Sequence, residues 1–390
     1  VRVTDAEGKL ALKTTLRANL RTIKSAALSL TLLDPDGREV DLPKPMVLVG
    51  PNYDIVSMAV LVPEPRLWTP DAPVLYTATV ALQCGEQVLD QVTLRVGFRT
   101  IACQGHQLLL NGQAIHLLGC NRHEDSPRTD MCPDPATVRA DLLDMKRLGA
   151  NFVRLCHYPH HPSELDLCDE LGLLVMAEIP LYWWRGPGIG LDASQAKLVA
   201  ARRQLTAMIA RDRHHPSVIF WSVSNENAEE FTEVADGNAE LIALAKKLDP
   251  SRLAVHVSIT SSWQKAPNFD ADDVICLTYY PSVWGRENPT RDPIKSACLW
   301  RQHLAALHER NPDKPILIAE FGYPAIEGVF GERYSEDRQA AVLAAEFAAL
   351  EAPFVCGATI WCYAHHPWPE DAFISFITTS PFGIVTRERR

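Results

Sequence analysis

After about residue 100 the sequence alternates between short apolar runs and longer amphipathic segments, which limits the chain to a few α/β folds. Eight runs have the length and composition of buried strands: 116–120, 152–157, 173–179, 218–224, 253–258, 274–279, 316–321 and 358–362. In barrels of eight parallel strands, each strand is followed by a helix in this alternating way. The pattern therefore predicts a (β/α)8 barrel.

Amphipathic helices are predicted between most of these strands. In the segment 136–148 apolar residues recur every three or four positions, and Gly149 stands where a helix ends. Similar periodicity covers 194–210, 238–248, 294–308 and 336–350. No such segment follows the eighth strand, so the barrel is expected to lack its last helix. A doubly wound sheet is the alternative, but no glycine-rich phosphate-binding turn follows the first strand.

The first hundred residues show a different pattern, in which short β-rich runs alternate with turns. The runs are 9–16, 26–33, 55–62, 75–82 and 91–98, and turn sequences such as Asp34-Pro35-Asp36-Gly37 separate them. About seven short strands in this length are typical of an all-β sandwich. We therefore expect a sandwich over residues 1–97 and the barrel over 98–390, with a generic β domain as the alternative for the first part.

Composition excludes several classes of partner. The net charge of −10 disfavours nucleic acid, because phosphate binding needs a basic face. No apolar run reaches the roughly 20 residues that span a bilayer. The ten cysteines stand singly in apolar runs and form no CxxC pair, which predicts reduced thiols and a cytoplasmic location. The chain begins at Val1 without a signal-peptide pattern, so a piece of a longer protein is expected.

Two glutamates follow or end predicted strands, where the active sites of (β/α)8 barrels lie. Glu226 follows the fourth strand and Glu320 ends the seventh. Glycoside hydrolysis needs two such carboxyl groups, one to protonate the leaving oxygen and one to attack the anomeric carbon, about 5–5.5 Å apart for retention. A single Glu after a strand is otherwise most often a surface or helix-capping charge.

Other polar and aromatic residues near the strand ends are candidates for sugar contacts. Arg154 is predicted to keep Glu320 ionised, although a structural ion pair is the alternative. Asn225 is placed to bind the sugar 2-hydroxyl, and His123 and His157 are predicted to face the sugar. Tryptophans near the strand ends are candidates for stacking on the sugar or for packing: Trp183, Trp184, Trp284 and Trp361. The histidine pairs lack the H-E-x-x-H spacing, so no metal is expected.

Several segments together resemble the family 2 glycoside hydrolases, which include β-galactosidases, β-glucuronidases and β-mannosidases. They are 67–76, 96–99, 110–112, 121–125, 157–159 and 221–226. The resemblance implies an immunoglobulin-like sandwich at 1–97, a (β/α)8 TIM barrel at 98–390, and a sugar-binding jelly roll that is missing here. It also implies that Glu226 is the acid/base, Glu320 the nucleophile and Tyr279 the tyrosine that hydrogen-bonds the nucleophile. Residues at positions that resemble substrate or supporting residues of the family are Asn225, Arg154, His123, His157 and Trp361.

Two departures from the family bear on the substrate. The stretch 179–182 lacks the acidic ligand of magnesium-dependent β-galactosidases, so neither a metal nor another cofactor is expected. Ser380-Pro381-Phe382 stands where β-glucuronidases carry an Asn-x-Lys that recognises the sugar carboxylate. The stretches 123–125 and 178–180 resemble the galactosidase and glucuronidase branch more than the mannosidase branch.

These observations predict a retaining exo-β-D-glycosidase, β-galactosidase-like, that acts on carbohydrate. One alternative is a β-glucuronidase or another β-glycosidase of the family. Another is a sugar-binding or inactive piece that lacks the jelly roll. The resemblance also allows a homo-oligomer.

Overall fold

The first part of the chain is an all-β sandwich, as predicted. The computed structural model describes residues 2–4, 9–15, 26–42, 47–49, 55–132, 134–184, 191–259, 268–284, 292–331, 333–367 and 379–390. Within these residues seven strands precede residue 97: β1 (Arg2–Thr4), β2 (Lys9–Thr15), β3 (Ala26–Leu33), β4 (Val47–Val49), β5 (Ile55–Leu61), β6 (Tyr76–Cys84) and β7 (Gln87–Val96). They form two antiparallel sheets, in the orders β1-β2-β5 and β4-β3-β6-β7.

The core of the sandwich follows from the two-residue period of its strands. In β3 the residues Ala26, Leu28, Leu30 and Leu32 are buried, and the residues between them are more exposed. These side chains belong to one buried cluster with Tyr76 and Phe98.

Eight parallel strands close into the predicted barrel in their order along the chain. They are β11 (Leu117–Arg122), β12 (Phe152–Leu155), β13 (Leu174–Glu178), β14 (Val218–Asn225), β15 (Leu253–Ile259), β16 (Ile275–Thr278), β17 (Ile316–Phe321) and β18 (Val355–Ile360). The segment of the chain between β7 and β11 forms a small antiparallel sheet of β8 (Ile101–Gln104), β9 (Gln107–Leu110) and β10 (Gln113–Ala114). Each predicted barrel strand overlaps an observed one.

The helices are α1 (Pro135–Arg147), α2 (Pro162–Leu171), α3 (Leu191–Asp212), α4 (Thr232–Leu248), α5 (Pro281–Trp284), α6 (Pro293–Arg310) and α7 (Glu336–Leu350). Helix α2 was not predicted, because it is short and rich in acidic residues. It begins at a proline, its first turn is capped by the His161 side chain, and Gly172 ends it with a φ of 72°. After β18 the described residues, 361–367 and 379–390, form two short strands, β19 (His366–Pro367) and β20 (Thr379–Ser380), and turns.

The sandwich is joined to the end of the barrel where the strands begin. Trp68 is fully buried, and its indole N–H donates to the carbonyl of Asp169 in α2 at 2.9 Å. Arg99 donates to the carbonyls of Pro216, Val218 and Ser251, which lie just before or at the starts of β14 and β15. The segments around Trp68 and Arg99, which carried part of the family resemblance, therefore hold the two domains together.

Two further expectations concern the compartment. All ten cysteines have free thiols, as predicted. Among the helices that the structure describes, none combines the length and apolar character needed to cross a bilayer. The cytoplasmic location stays a prediction.

Candidate active site

Glu320, at the carboxyl end of β17, accepts hydrogen bonds on both of its carboxylate oxygens. Arg154 Nη1 donates to Oε1 at 2.5 Å, and the Tyr280 hydroxyl donates to Oε2 at 2.7 Å. Glu320 is only 4% exposed, so these donors replace most of its hydration. They stabilise its negative charge in the way that a carboxylate nucleophile requires.

Arg154, on β12, is the centre of a buried hydrogen-bond network. Besides Glu320, its guanidinium donates to Glu178 Oε2 at 2.7 Å, Asn121 Oδ1 at 3.0 Å and Asn225 Oδ1 at 2.8 Å. Burial alone would lower the pKa of Arg154, but the carboxylates of Glu178 and Glu320 raise it above its ordinary value. The guanidinium is therefore a permanent positive charge at the bottom of the site.

Glu178, the last residue of β13, is the second carboxylate that binds Arg154. Burial raises its pKa, but Arg154 and a hydrogen bond with His157 lower it more, to about 2. His157 Nδ1 lies 2.7 Å from Glu178 Oε1, and Ser222 Oγ donates to Oε2 at 2.7 Å. Glu178 therefore stays ionised and fixes the orientation of both Arg154 and His157.

Glu226, the residue after β14, has a different environment. Its backbone has a φ of 49°, a left-handed conformation that residues other than glycine adopt at an energetic cost. Thr278 Oγ1 donates to Oε1 at 2.6 Å, and Trp183 Nε1 donates to Oε2 at 2.9 Å. Within the described part of the chain no cation forms an ion pair with it.

Burial raises the pKa of Glu226, and the nearby carboxylate of Glu320 raises it further. The hydrogen bonds from Thr278 and Trp183 offset part of this effect. Thr278 is also the register partner of Glu320 between the neighbouring strands β16 and β17, so it lies beside both glutamates. The two carboxyl groups thus face one pocket with opposite electrostatic surroundings, which is the condition for an acid and a nucleophile.

Aromatic and imidazole rings form another wall of the pocket. His157 Nε2 lies 3.7 Å from Glu320 Oε1, and its ring stacks on Trp361 with centroids 5.2 Å apart. The His123 ring meets Trp361 edge-on at 5.4 Å, and its Nδ1 lies 3.2 Å from the hydroxyl of Tyr158. Burial and the neighbouring histidines lower the pKa of His123 well below its usual range, so its imidazole is neutral.

Seven of the eight residues predicted for the site lie together in this pocket: Glu226, Glu320, Asn225, Arg154, His123, His157 and Trp361. The prediction for Tyr279 is wrong, because the hydroxyl that reaches Glu320 belongs to Tyr280. The Tyr279 ring packs outside the barrel against Trp300 and His303 of α6, at 4.9 and 4.5 Å.

The reason is the two-residue period of β16. Ile275 and Leu277 face outward and pack in the same cluster as Tyr279, whereas Cys276 faces the interior of the barrel. Continuing this alternation past the strand would have placed Tyr280 inward.

The tryptophans differ among themselves. Trp184 is 2% exposed and its ring packs against Gly237 of α4, so of its two candidate roles the structure favours packing. Trp183 is half exposed and contacts Glu226 instead. The side chain of Trp284 lies outside the described residues.

Besides Tyr280, three residues of the site were not predicted: Glu178, Asn121 and Thr278. Each ends or nearly ends a barrel strand, which is the same signal that located Glu226 and Glu320. Their roles depend on partners from other strands, which the linear sequence does not reveal.

One group in the pocket has the donor atoms to hold a metal ion. Atoms of His123, Cys156 and His157 lie within 4.8 Å of one another. However, the Cys156 thiol donates to the carbonyl of Arg122 at 3.3 Å, and His157 Nδ1 is bonded to Glu178. The expectation that the site needs no metal or cofactor stays a prediction.

A closed (β/α)8 barrel with two carboxyl groups at the ends of its fourth and seventh strands has the arrangement of a glycosidase-type active site. Comparison with known families agrees with this assignment. The family model described as "Glycosyl hydrolases family 2, TIM barrel domain" matches residues 101–343, and "Glycosyl hydrolases family 2" matches residues 1–99. The chain belongs to family 2 of the glycosyl hydrolases, which confirms the resemblance.

Individual relatives are similar in sequence and in structure. A β-glucuronidase of Rattus norvegicus is 32% identical over 351 residues, which cover 84% of this chain and 51% of that protein. A β-galactosidase of Psychromonas ingrahamii is 34% identical over 205 residues, 52% of this chain and 19% of that protein. The solved structure of a Faecalibacterium prausnitzii β-glucuronidase has a TM-score of 0.84 at 27% identity and covers 100% of this chain and 62% of that one. The chain thus spans about half the length of the rat relative.

Proposed function

We propose that this protein hydrolyses terminal β-linked sugars with retention of configuration, with Glu226 as acid/base and Glu320 as nucleophile. The observation that carries the proposal is the contrast between the two carboxyl groups. Glu320 is bound by a guanidinium and a phenol, which suit an anion. Glu226 has a raised pKa and no ion-pair partner among the described residues, which suits a proton donor.

In the first step Glu226 gives its proton to the glycosidic oxygen, and the bond from that oxygen to the anomeric carbon breaks. A Glu320 oxygen forms a bond to the anomeric carbon from the opposite face, giving a glycosyl-enzyme. In the second step Glu226, now a carboxylate, takes a proton from water. The water oxygen bonds to the anomeric carbon, and Glu320 leaves as a carboxylate.

The supporting residues have matching tasks. Arg154 and Tyr280 hold Glu320 in place and stabilise its negative charge before it attacks and again when it leaves as a carboxylate. Asn225 uses its side-chain oxygen to accept from Arg154, which leaves its amide NH2 to donate to a sugar hydroxyl. His123, His157 and Trp361 supply the rings against which the sugar packs.

For the sugar itself we propose a β-D-glucuronide, the alternative of the sequence analysis. This choice rests on relatives and solved neighbours that are β-glucuronidases. A neutral β-D-galactoside is the second candidate, and two observations favour it. Ser380-Pro381-Phe382 offers no lysine to a sugar carboxylate, and Phe382 is buried against Tyr280. β-Galactosidases are also among the relatives.

The test is hydrolysis of p-nitrophenyl β-glycosides (glucuronide, galactoside, glucoside, mannoside and galacturonide) by the wild-type protein and by the Glu226→Gln and Glu320→Gln variants. Turnover of the glucuronide that Glu320→Gln abolishes and Glu226→Gln reduces supports the proposal. Turnover of the galactoside alone supports the second candidate. A folded sample that hydrolyses none of them contradicts catalysis by this chain and favours a sugar-binding or inactive piece.

A further inference from the structure

Another buried carboxyl group, that of Glu346 on α7, lies outside the pocket and takes no part in the reaction described above. It is fully buried, and the Ser282 hydroxyl donates to its Oε1 at 2.8 Å. The Ser296 hydroxyl donates to the same oxygen, and the two serine oxygens are 2.7 Å apart. Ser282 belongs to α5 and Ser296 to α6, so this polar triangle joins three helices.

No cation compensates this carboxyl group within the described part of the chain. Its hydrogen-bond donors are neutral, and no ion pair includes it among those formed by the described residues. The titratable group that faces it from the end of β16 is Tyr279, and His303 of α6 packs on the ring of Tyr279. Burial raises the pKa of Glu346 to about 7, while hydrogen bonds from Ser296 and Ser282 lower it in part. The carboxyl group is therefore neutral in mildly acidic solution.

The triangle lies next to the residue that binds the predicted nucleophile. Tyr280 donates its hydroxyl to Glu320 at 2.7 Å, and Ser282 is only two residues further along the chain. The intervening residue, Pro281, begins α5, and the amide of Val283 donates to the Tyr280 carbonyl at 3.0 Å. Movement of Ser282 would therefore move the backbone that carries the Tyr280 ring.

We propose that Glu346 is a positioning residue, which holds Ser282 so that Tyr280 keeps its hydrogen bond to Glu320. The inference rests on the proposed function of Glu320 as nucleophile. Its consequence is a dependence on pH that does not come from Glu226 or Glu320. As pH rises through about 7, Glu346 gains a buried charge that no cation among the described residues neutralises, and the folded state loses stability.

A double-mutant cycle tests whether Ser282 acts through Tyr280. In the wild-type background Ser282→Ala removes the hydrogen bond from Ser282 to Glu346, and we expect kcat to fall about tenfold with little change in KM. In the Tyr280→Phe background the same substitution should have almost no effect, because the hydroxyl that Ser282 positions is already absent. Equal losses in both backgrounds would overturn the proposal, since a general loss of packing acts independently of Tyr280.

Glu346→Gln and Glu346→Leu provide the second arm. Glutamine keeps the accepting oxygen and never ionises, so it should retain most of the activity, whereas leucine should lose as much as Ser282→Ala. The melting temperature supplies a readout that does not need turnover. Because the pKa of Glu346 is higher in the folded than in the unfolded protein, its stabilising effect is present below about pH 4.5 and is lost as pH rises through 7.

The melting temperature of the wild type should therefore fall, relative to that of Glu346→Gln, between pH 5 and pH 8. A constant difference over this range overturns the pH dependence inferred for Glu346, whereas equal kinetic losses in the double-mutant cycle overturn its positioning role. If the wild type hydrolyses no glycoside, the proposed function fails, and the melting curves still decide whether Glu346 is neutral in the folded protein.

Discussion

The barrel carries a buried arginine at each of its two ends, and the two differ in what they bind. Arg99, at the end covered by the sandwich, donates to three backbone carbonyls. Arg154, at the open end, binds the carboxylates of Glu178 and Glu320. Burial lowers the pKa of Arg99 to about 9, with a further decrease from Arg252, whereas the carboxylates around Arg154 raise its pKa.

This difference separates a structural cation from a functional one. Arg99 donates to backbone carbonyl groups at or near the strand starts, one of which, that of Val218, also accepts from Arg252. Arg154 collects negative charge at one point, which stabilises a site whose carboxylates would repel one another in its absence. A buried charge alone is therefore weak evidence for function. Whether its hydrogen-bond partners are themselves charged distinguishes the functional arginine from the structural one.

The largest effect should come from removing the carboxylate that Arg154 holds. Glu320→Gln keeps the shape of the side chain but cannot form the glycosyl-enzyme, so kcat/KM should fall by at least about 10⁴-fold. The measurement is the initial rate on the glycoside selected by the panel. The exposed Glu351, changed to Gln, is the matched control. A Glu320→Gln variant within tenfold of the wild type would show that another group is the nucleophile.

Exchanging Arg99 and Arg154 for methionine, one at a time, would test the comparison between the two ends of the barrel directly. Arg154→Met leaves two buried carboxylates without a cation, so we expect kcat/KM to fall about 10³-fold and the free energy of unfolding to fall by about 3–5 kcal/mol. Arg99→Met should lower the free energy of unfolding by about 3 kcal/mol but change kcat/KM by less than roughly threefold, because it lies at the far end of the barrel.

Urea unfolding and initial rates, measured at a temperature where both variants are folded, give these numbers. If Arg154→Met does not fold, Arg154→Lys keeps the charge and loses only the planar fork. Equal loss of activity in Arg99→Met and Arg154→Met would contradict the division into a structural and a functional end.

The acid/base assignment gives an effect of intermediate size. The pKa of Glu226 is raised by burial and by Glu320, and the group must be protonated to act as an acid. The wild-type kcat/KM should therefore fall as pH rises through that pKa. Glu226→Gln should lose about 10²–10⁴-fold on substrates with poor leaving groups, lose less on activated aryl glycosides, and lack the alkaline decrease. An unchanged alkaline decrease would assign it to another group, of which Glu346 is the candidate.

The smallest effect sharpens the contrast between the two carboxyl groups. The Thr278 hydroxyl donates to Glu226 and so lowers its pKa. Thr278→Val should raise that pKa and move the alkaline decrease to higher pH by about one unit. Thr278→Ser keeps the hydroxyl and should leave the profile in place. A shift to lower pH in Thr278→Val would contradict the view that the Thr278 hydroxyl stabilises the ionised form of Glu226.

The sequence alone predicted most of the architecture because the physical signals are local. Strand-like apolar runs and helical periodicity located all eight barrel strands and five helices, and the position of Glu226 and Glu320 at strand ends followed from the barrel. The division of the chain at residues 97 and 98 stays a proposal, although β7 ends at Val96 and the barrel begins at Leu117.

Only the tertiary structure decided which neighbours act together. Strands of a parallel barrel are buried on both faces, so hydrophobicity does not mark the inward side, and Tyr279 was chosen where Tyr280 faces the pocket. The same limit hid the partnership of Arg154 with Glu178 and the burial of Trp184. The alternation of side chains along a strand can be read from consecutive residues. A hydrogen bond between strands depends instead on the register of the strands and the closure of the whole barrel.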